Sequence, residues 1–218
     1  MSMITRFEDI VSNLCDYSYH ILGCGAIGSS AALQLARMGA TQFYIYDFDK
    51  VELHNVGVSQ YILKDIGKPK VDALRSHIQS INDEAEVVTI NNRFKVFNST
   101  GDKDIIIVAF DNMNSRKEAV VSALKASDKP YMLIDGRMGA EHYQQYTFID
   151  PKLRDYLKTW YSDEEGDPEP CSAKATSYCS NMSGSFIVNQ IRKAVTGQSI
   201  DEEFYFNFPQ LILAQKHQ

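Results

Sequence analysis

Apolar positions along this chain fall into two alternating patterns. Short, nearly unbroken apolar runs alternate with longer stretches in which apolar residues recur every three or four positions. The first pattern reads as strand and the second as amphipathic helix. Ile4, Phe7, Ile10, Val11 and Leu14 predict a short helix over 3–17, and Tyr19 to Leu22 a strand. Ile27, Ala31, Leu35 and Met38 form the next helical stripe, closed by Gly39. "TQFYIYDFD" follows as a strand ending in Asp47 and Asp49, which completes a βαβ unit.

The alternation continues through the middle of the chain. "GKPKVDALRSHIQSIN" aligns Val71, Leu74, Ile78 and Ile81 on one helical face, with Pro69 in its first turn. "EVVTIN" reads as strand, "DIIIVAF" (104–110) as an unbroken apolar strand, "SRKEAVVSALKAS" as helix and "KPYMLIDG" as strand. An apolar run without alternation is expected of a strand covered on both faces. The order predicts an α/β fold: a Rossmann-like, doubly wound, mostly parallel sheet with helices on both faces.

Beyond Gly136 the texture changes. "EHYQQYTFI" alternates like an antiparallel strand, and "YSDEEGDPEP" (161–170) carries five acids, two prolines and a glycine, which predicts an exposed loop. "SGSFIVNQIRKAVTG" (183–197) returns to helix, with Ile187, Ile191, Ala194 and Val195 facing inward, and "FYFNFPQLIL" closes the chain as short strands. The expectation is one domain over 1–218: a nucleotide-binding core at about 18–138 and a small antiparallel extension with loop and helix over 139–218.

Composition narrows the classes. Hydrophobic residues make up 44% and charged residues 23%, as in an ordinary soluble globule. A net charge of −6 argues against non-specific nucleic-acid binding, which needs basic surface. The 4 cysteines form no C-x-x-C pair, so no structural zinc is expected. No apolar run approaches the roughly 20 residues of a membrane span, and the opening "MSMITRFEDIVSNL" does not resemble a signal peptide. The chain is therefore expected to be cytoplasmic, with no membrane partner.

The densest chemistry lies in Gly23-Cys24-Gly25-Ala26-Ile27-Gly28, a G-x-G-x-x-G between strand and helix. Gly23, Gly25 and Gly28 let backbone N–H groups approach a phosphate at the positive end of the helix that Ala26 opens. A tight turn without ligand is the plain alternative. Asp47, about twenty residues on, is placed to take ribose hydroxyls, and ATP and NAD both carry that ribose. Residues downstream separate the two. Adenylyl transfer needs cations at the phosphates, whereas hydride transfer needs a nicotinamide pocket and usually a proton shuttle. Lys70, at a helix start, and Asp111, after a central strand, suit adenylyl transfer. Each also has a bland reading: Lys70 as a solvated residue, Asp111 as a helix cap, Asn55 as a turn residue.

Taken together, these landmarks resemble the ThiF/MoeB family of adenylyltransferases, which shares its fold with the ubiquitin-activating enzymes. The resemblance rests on Gly23 to Gly28, D-x-D-x-V at Asp47 to Val51, Asn55, Gly67 to Lys70, and Asp111 followed by Arg116. It runs in register from residue 20 to about 138 and resumes in the final helix. It implies that Gly23, Gly25, Ala26 and Gly28 surround ATP, with Asp47 and Asp49 at the ribose. Asn55 and Lys70 contact the phosphates, and Asp111 ligates Mg²⁺. It further implies a homodimer that adenylates a carboxylate, namely the C-terminal Gly-Gly of a ubiquitin-like or sulfur-carrier protein, near Asp111.

The chain departs from the family in two places. The family commonly reads N-L-x-R-Q with a phosphate-clamping arginine, whereas this chain reads Asn55-Val56-Gly57-Val58-Ser59-Gln60. Arg137, Arg116 or a partner copy's Arg6 are the candidate replacements for the arginine absent at Val58. The zinc-binding pairs of some relatives are also missing. Cys171 and Cys179 lie in the general region where relatives that pass on the acyl group carry a reactive cysteine. Lys174, or the start of the last helix, would lower the thiol pKa; packed, incidental thiols are the alternative. Two other readings remain: an NAD-linked oxidoreductase, for which His54 and His142 stand isolated, and a non-catalytic nucleotide-binding subunit of the same fold.

Overall fold

The computed structural model describes residues 6–165 and 175–216. Its elements run β1 (Ser18–Leu22), α1 (Ala26–Arg37), β2 (Gln42–Tyr46), α2 (Leu53–Val56), α3 (Lys70–Ile81), β3 (Glu86–Ile90), β4 (Asp104–Val108) and α4 (Met113–Lys125). β5 (Met132–Gly139), β6 (His142–Ile149), α5 (Leu153–Leu157), α6 (Ser177–Val195), β7 (Glu203–Asn207) and β8 (Ile212–Lys216) follow. One eight-stranded sheet has the order β3-β2-β1-β4-β5-β6-β7-β8. Its first five strands are parallel, and β6, β7 and β8 are each antiparallel to the strand before. This is the doubly wound sheet with an antiparallel extension that the sequence predicts.

Successive residues of β4 divide between two cores. Ile105 and Ile107 join Tyr19, Ile21, Leu35, Phe43, Leu74, Ile187 and Ile191 beneath α1, α3 and α6. Ile106 and Val108 join Leu22, Tyr46, Val120, Leu133 and Tyr156 beneath α4 and α5. A strand buried on both faces has no polar side to alternate with, which is why "DIIIV" is unbroken.

Two elements differ from the expectation. In place of a helix over 3–17, the described residues form a turn over 7–10 and a 3₁₀ turn at Leu14–Asp16. Val11 and Leu14 are buried but Ile10 is 59% exposed, so the apolar positions never share a face. The last helix starts at Ser177, six residues before the predicted Ser183. Its Ser- and Asn-rich first turns are poor helix formers, but their small side chains let α6 press against α1. A Cβ on Gly184 would meet Ser30 Oγ at 2.3 Å. Tertiary contact overrides propensity there.

One buried side-chain hydrogen bond ties the sheet to the loop before β4. His20 Nε2 lies 3.1 Å from Asp104 Oδ1, and both side chains are fully buried. Asp104 also accepts from Ser99 Oγ at 2.7 Å and Thr100 N at 2.9 Å. Burial alone would raise the Asp104 carboxyl, but the donors, His20 foremost, bring it down to about 2. A carboxyl depressed on folding adds stability above its unfolded pKa and loses it as pH falls toward the folded value. Asp104→Asn should therefore lower stability at pH 7 by about 2 kcal/mol and flatten its decline between the ordinary carboxyl range and pH 2. Urea unfolding across that range reads both effects, and an unchanged acid limb would remove Asp104 as its source.

Candidate active site

The glycine loop joins β1 to α1 at the carboxyl edge of the parallel strands. Gly23 has φ +102°, and a Cβ on it would lie 2.7 Å from Ala109 O; one on Gly28 would lie 1.9 Å from Gly23 O. These two glycines let the loop, α1 and the end of β4 pack closely. Gly25 differs, because a Cβ there would meet nothing within 4 Å. It faces an open cleft of about 270 Å³. Gly25 is also the N-cap of α1 and supplies no side-chain cap, so the N–H groups of the first turn are left without one. Ala26 and Gly28 stand in that turn without lining the cleft.

Asp47 closes the loop from the end of β2. Its Oδ2 accepts from Cys24 N at 2.8 Å and its Oδ1 from Asp49 N at 2.9 Å. Burial lifts its carboxyl above the usual range, although Lys70 and the two backbone donors pull it back. Lys70 opens α3 as a largely buried side chain whose Nζ donates to Asp49 Oδ2 at 2.9 Å. Burial works against its charge, but Asp47 and Asp49 outweigh it and hold the ammonium above its ordinary pKa.

Asp111 follows β4 and is exposed. It does not cap α4: Asn112 is the cap, its Oδ1 accepting from Ser115 N at 2.8 Å. Asp111 receives one bond from Asn112 Nδ2 at 3.2 Å, and its remaining acceptor capacity faces the cleft. Gly23, Gly25, Asp47, Asp49, Lys70 and Asp111 thus line one cavity. Asn55 does not join them. Its Oδ1 accepts from Glu52 N at 2.8 Å as the capping box of α2, so its oxygen is engaged in closing its own turn. Val58 does not line the cleft either.

A second cleft of about 520 Å³ meets the first at Asp111 and is lined by Arg116, Arg137, His142 and Tyr205 among others. Both arginines grip the fully buried Asp135. Arg116 Nη1 contacts Asp135 Oδ1 and donates to Gly136 O at 2.9 Å. Arg137 Nε and Nη2 donate to Asp135 Oδ2 at 3.0 and 2.7 Å, and its Nη1 to Thr159 O at 2.7 Å. Tyr156 adds a bond to Asp135 Oδ2 at 3.2 Å. Two arginines share one carboxylate behind the second cleft, and Asp111 and Asp163 also line it, so carboxylates there outnumber guanidiniums three to two. Asp135 escapes a sequence reading because an acid inside a strand has no local signature; its neighbour Arg137 and the distant Arg116 and Tyr156 together explain it.

The cysteines separate by burial. Cys179 lies in the first turn of α6, fully buried, and burial together with the Glu141 carboxylate pushes its thiol up to about 11. It stays protonated at neutral pH, the opposite of an activated nucleophile. Cys24 is buried and its thiol likewise raised, whereas Cys15 is exposed. Cys171, Lys174 and the second half of the acidic loop (166–170) lie outside the described residues. Iodoacetamide at pH 7 should label Cys15 and leave Cys179 unmodified until the protein is denatured. Peptide mapping checks this, and native labelling of Cys179 would contradict its burial. Of the isolated histidines, His54 is exposed beside Glu52 and His142 Nδ1 pairs with Tyr205 Oη at 2.7 Å.

A glycine loop at a helix start, an Asp at the end of the next strand and a cleft at the carboxyl edge of the parallel strands are the layout of a doubly wound α/β domain. The chain belongs to the ThiF family, whose model matches residues 4–215. It is 30% identical over 139 residues to tRNA threonylcarbamoyladenosine dehydratase 2 of Saccharomyces cerevisiae, covering 56% of this chain and 31% of that protein. It is 37% identical over 110 residues to adenylyltransferase and sulfurtransferase MOCS3 of Arabidopsis thaliana, covering 48% of this chain and 24% of that one. The chain thus spans under a third of either relative's length. Among solved structures, Escherichia coli MccB with ATP superposes at a TM-score of 0.70 and 15% identity, over 94% of this chain and 65% of MccB. PaaA does so at 0.70 and 22%, over 94% and 65%. These likenesses share the fold observed here. Among the described residues no helix is long and apolar enough to cross a membrane.

Proposed function

We propose that this protein adenylates a carboxylate with ATP and Mg²⁺, and that the carboxylate is the C-terminal Gly-Gly of a ubiquitin-like or sulfur-carrier protein. The observation that carries this reading is the gathering of Gly25, Asp47, Lys70 and an uncapped Asp111 around one cleft. The open backbone at Gly25 and the bare N-terminus of α1 suit the phosphates. Asp47 uses two of roughly four acceptor positions on its own loop, which leaves others for ribose hydroxyls. Lys70 is a protonated ammonium that can exchange Asp49 for a phosphate oxygen.

Charge supports a divalent cation. Asp47, Asp49, Asp111 and Glu118 line the cleft against only Lys70 and Arg93. Such a lining repels a polyphosphate unless positive charge enters with it. Asp111 would hold Mg²⁺, with phosphate oxygens and water completing the shell, since no group of three or more potential ligands exists among the described residues. The bound ion supplies charge neutralisation at the phosphates. In the reaction a carboxylate oxygen attacks the α-phosphorus, the bond to the bridging oxygen breaks, and pyrophosphate departs with its electron pair. The second cleft opens at Asp111 beside Arg116 and Arg137, and the incoming carboxylate would enter there.

The relatives point two ways, since tRNA threonylcarbamoyladenosine dehydratases of Saccharomyces cerevisiae and Bacillus subtilis match as well, and the protein tail is our reading. MOCS3 and ubiquitin-like modifier-activating enzyme 5 are among the matches, MccB was solved with MccA, and a net charge of −6 disfavours nucleic acid. A cytoplasmic homodimer completes the reading, supported by exposed Leu211, Ile212 and Leu213 at the edge hairpin. Val58 favours one second reading, a non-catalytic subunit that binds ATP without transferring AMP. Labelled pyrophosphate exchange into ATP, with candidate carrier proteins and Mg²⁺, separates the two. Carrier-dependent exchange supports adenylation; ATP binding with no exchange for any carboxylate supports the subunit.

A further inference from the structure

Among the described residues, the cations near the two clefts are committed to carboxylates with one exception. Lys70 pairs with Asp49, and Arg116 and Arg137 both pair with Asp135. Arg93 lines the nucleotide cleft with no carboxylate partner among the described residues. Its guanidinium carbon sits 5.0 Å from the centroid of the Phe48 ring. Phe48 itself is 52% exposed, an aromatic ring left open at the cleft wall between Asp47 and Asp49.

Topology fixes which end of a nucleotide these two residues meet. The glycine loop follows β1; Asp47 and Phe48 follow β2, one strand outward; Arg93 follows β3, the edge strand beyond it. Phosphates at the glycine loop and ribose at Asp47 point the base toward Phe48 and Arg93. Phe94 and Phe110 line the same cavity, and their rings are 6.3 Å apart. A planar guanidinium and an aromatic ring are both surfaces on which a purine stacks.

We propose that Arg93 and Phe48, already packed on each other, form a base clamp that holds the base against an outer face of the pair, since a 5.0 Å spacing admits no ring between them. The inference rests on the ATP reading above. Stacking is tolerant of which base is present, so the clamp provides affinity and positions the α-phosphorus rather than selecting adenine. It also assigns a role to a cation that lies on the irregular segment 91–103, far in sequence from the glycine loop.

Calorimetric titration of the full chain with AMP and separately with ATP and Mg²⁺ tests it. Arg93→Met and Phe48→Ala should each weaken both nucleotides by the same factor, roughly fivefold. Arg93→Lys should recover only part of the loss, because an ammonium keeps the charge without the plane. Lys70→Met should weaken ATP and leave AMP nearly unchanged. Loss of ATP binding alone in Arg93→Met would move Arg93 to the phosphates and overturn the clamp. Wild-type affinity in that variant, or full recovery by lysine, would overturn it as well. Those results leave the adenylation reading standing. A wild-type protein that binds neither AMP nor ATP overturns both. Arg93 and Phe48 are exposed, so the variants should melt with the wild type, which a thermal scan confirms.

Discussion

Asp111→Asn should bind ATP and exchange pyrophosphate roughly a thousandfold more slowly than wild type, in line with removal of a key electrostatic contact. The substitution keeps the shape, turns one acceptor oxygen into an amide donor and deletes the charge proposed to hold a divalent cation. Helix α4 should not notice, because Asn112 supplies its cap through Ser115 N at 2.8 Å. That separation makes the test clean: activity falls while the melting temperature stays. Raising Mg²⁺ should restore part of the rate, since a weakened site is filled at higher concentration. Exchange measured over a Mg²⁺ titration reads both effects. An identical Mg²⁺ dependence in the two proteins would take the ion away from Asp111.

Asp111 also shows what a sequence can and cannot resolve. "DNMNS" offers two residues able to cap α4, and the choice between Asp111 and Asn112 is made by backbone direction at the end of β4. By contrast, β4 itself was legible, since burial on both faces leaves no polar residues to obscure the run. The glycine loop was legible as a motif, yet its division of labour was not. Gly23 and Gly28 are required by Ala109 O and Gly23 O, contacts of folding, while of the three only Gly25 has open space where a Cβ would stand. Asn55 shows the opposite limit. It stands in register with a family motif, but here its side-chain oxygen closes its own turn.

The residues missed share a cause. Arg93 and Phe48 are 45 positions apart and meet only because β2 and β3 are neighbours. Asp135 is explained in part by Arg116 on the far side of α4's first turn. The burial of Cys179 follows from α6 starting early against α1, which its own Ser-rich sequence argues against. Periodicity reports which face of an element is covered. It does not report which side chains two elements bring together, and that is where this site's electrostatics reside.

Lys70→Met is expected to separate binding from rate at the phosphate end. Among the described residues Lys70 is the one cation at that end of the cleft, because the family's arginine position holds Val58. Its loss should slow exchange by about 10²–10³ and weaken ATP roughly tenfold. Part of the affinity loss is indirect. Lys70 Nζ now sits 2.9 Å from Asp49 Oδ2, and it draws the Asp47 carboxyl down against the lift of burial. Without it, two carboxylates face the incoming phosphates unpaired, and Asp47 rises further. Because Asp47 and Asp49 hold the ammonium above its ordinary pKa, Lys70 is charged throughout the neutral range. The wild type should therefore show no alkaline loss of activity from this group near pH 8. The double variant Lys70→Met, Asp49→Asn removes Asp49's share of the repulsion without returning a cation. It should recover part of the ATP affinity and little of the rate, as measured by titration and by pyrophosphate exchange. Recovery of the rate as well would mean that Lys70 serves only to neutralise Asp49, and that charge on the departing pyrophosphate is met by other groups.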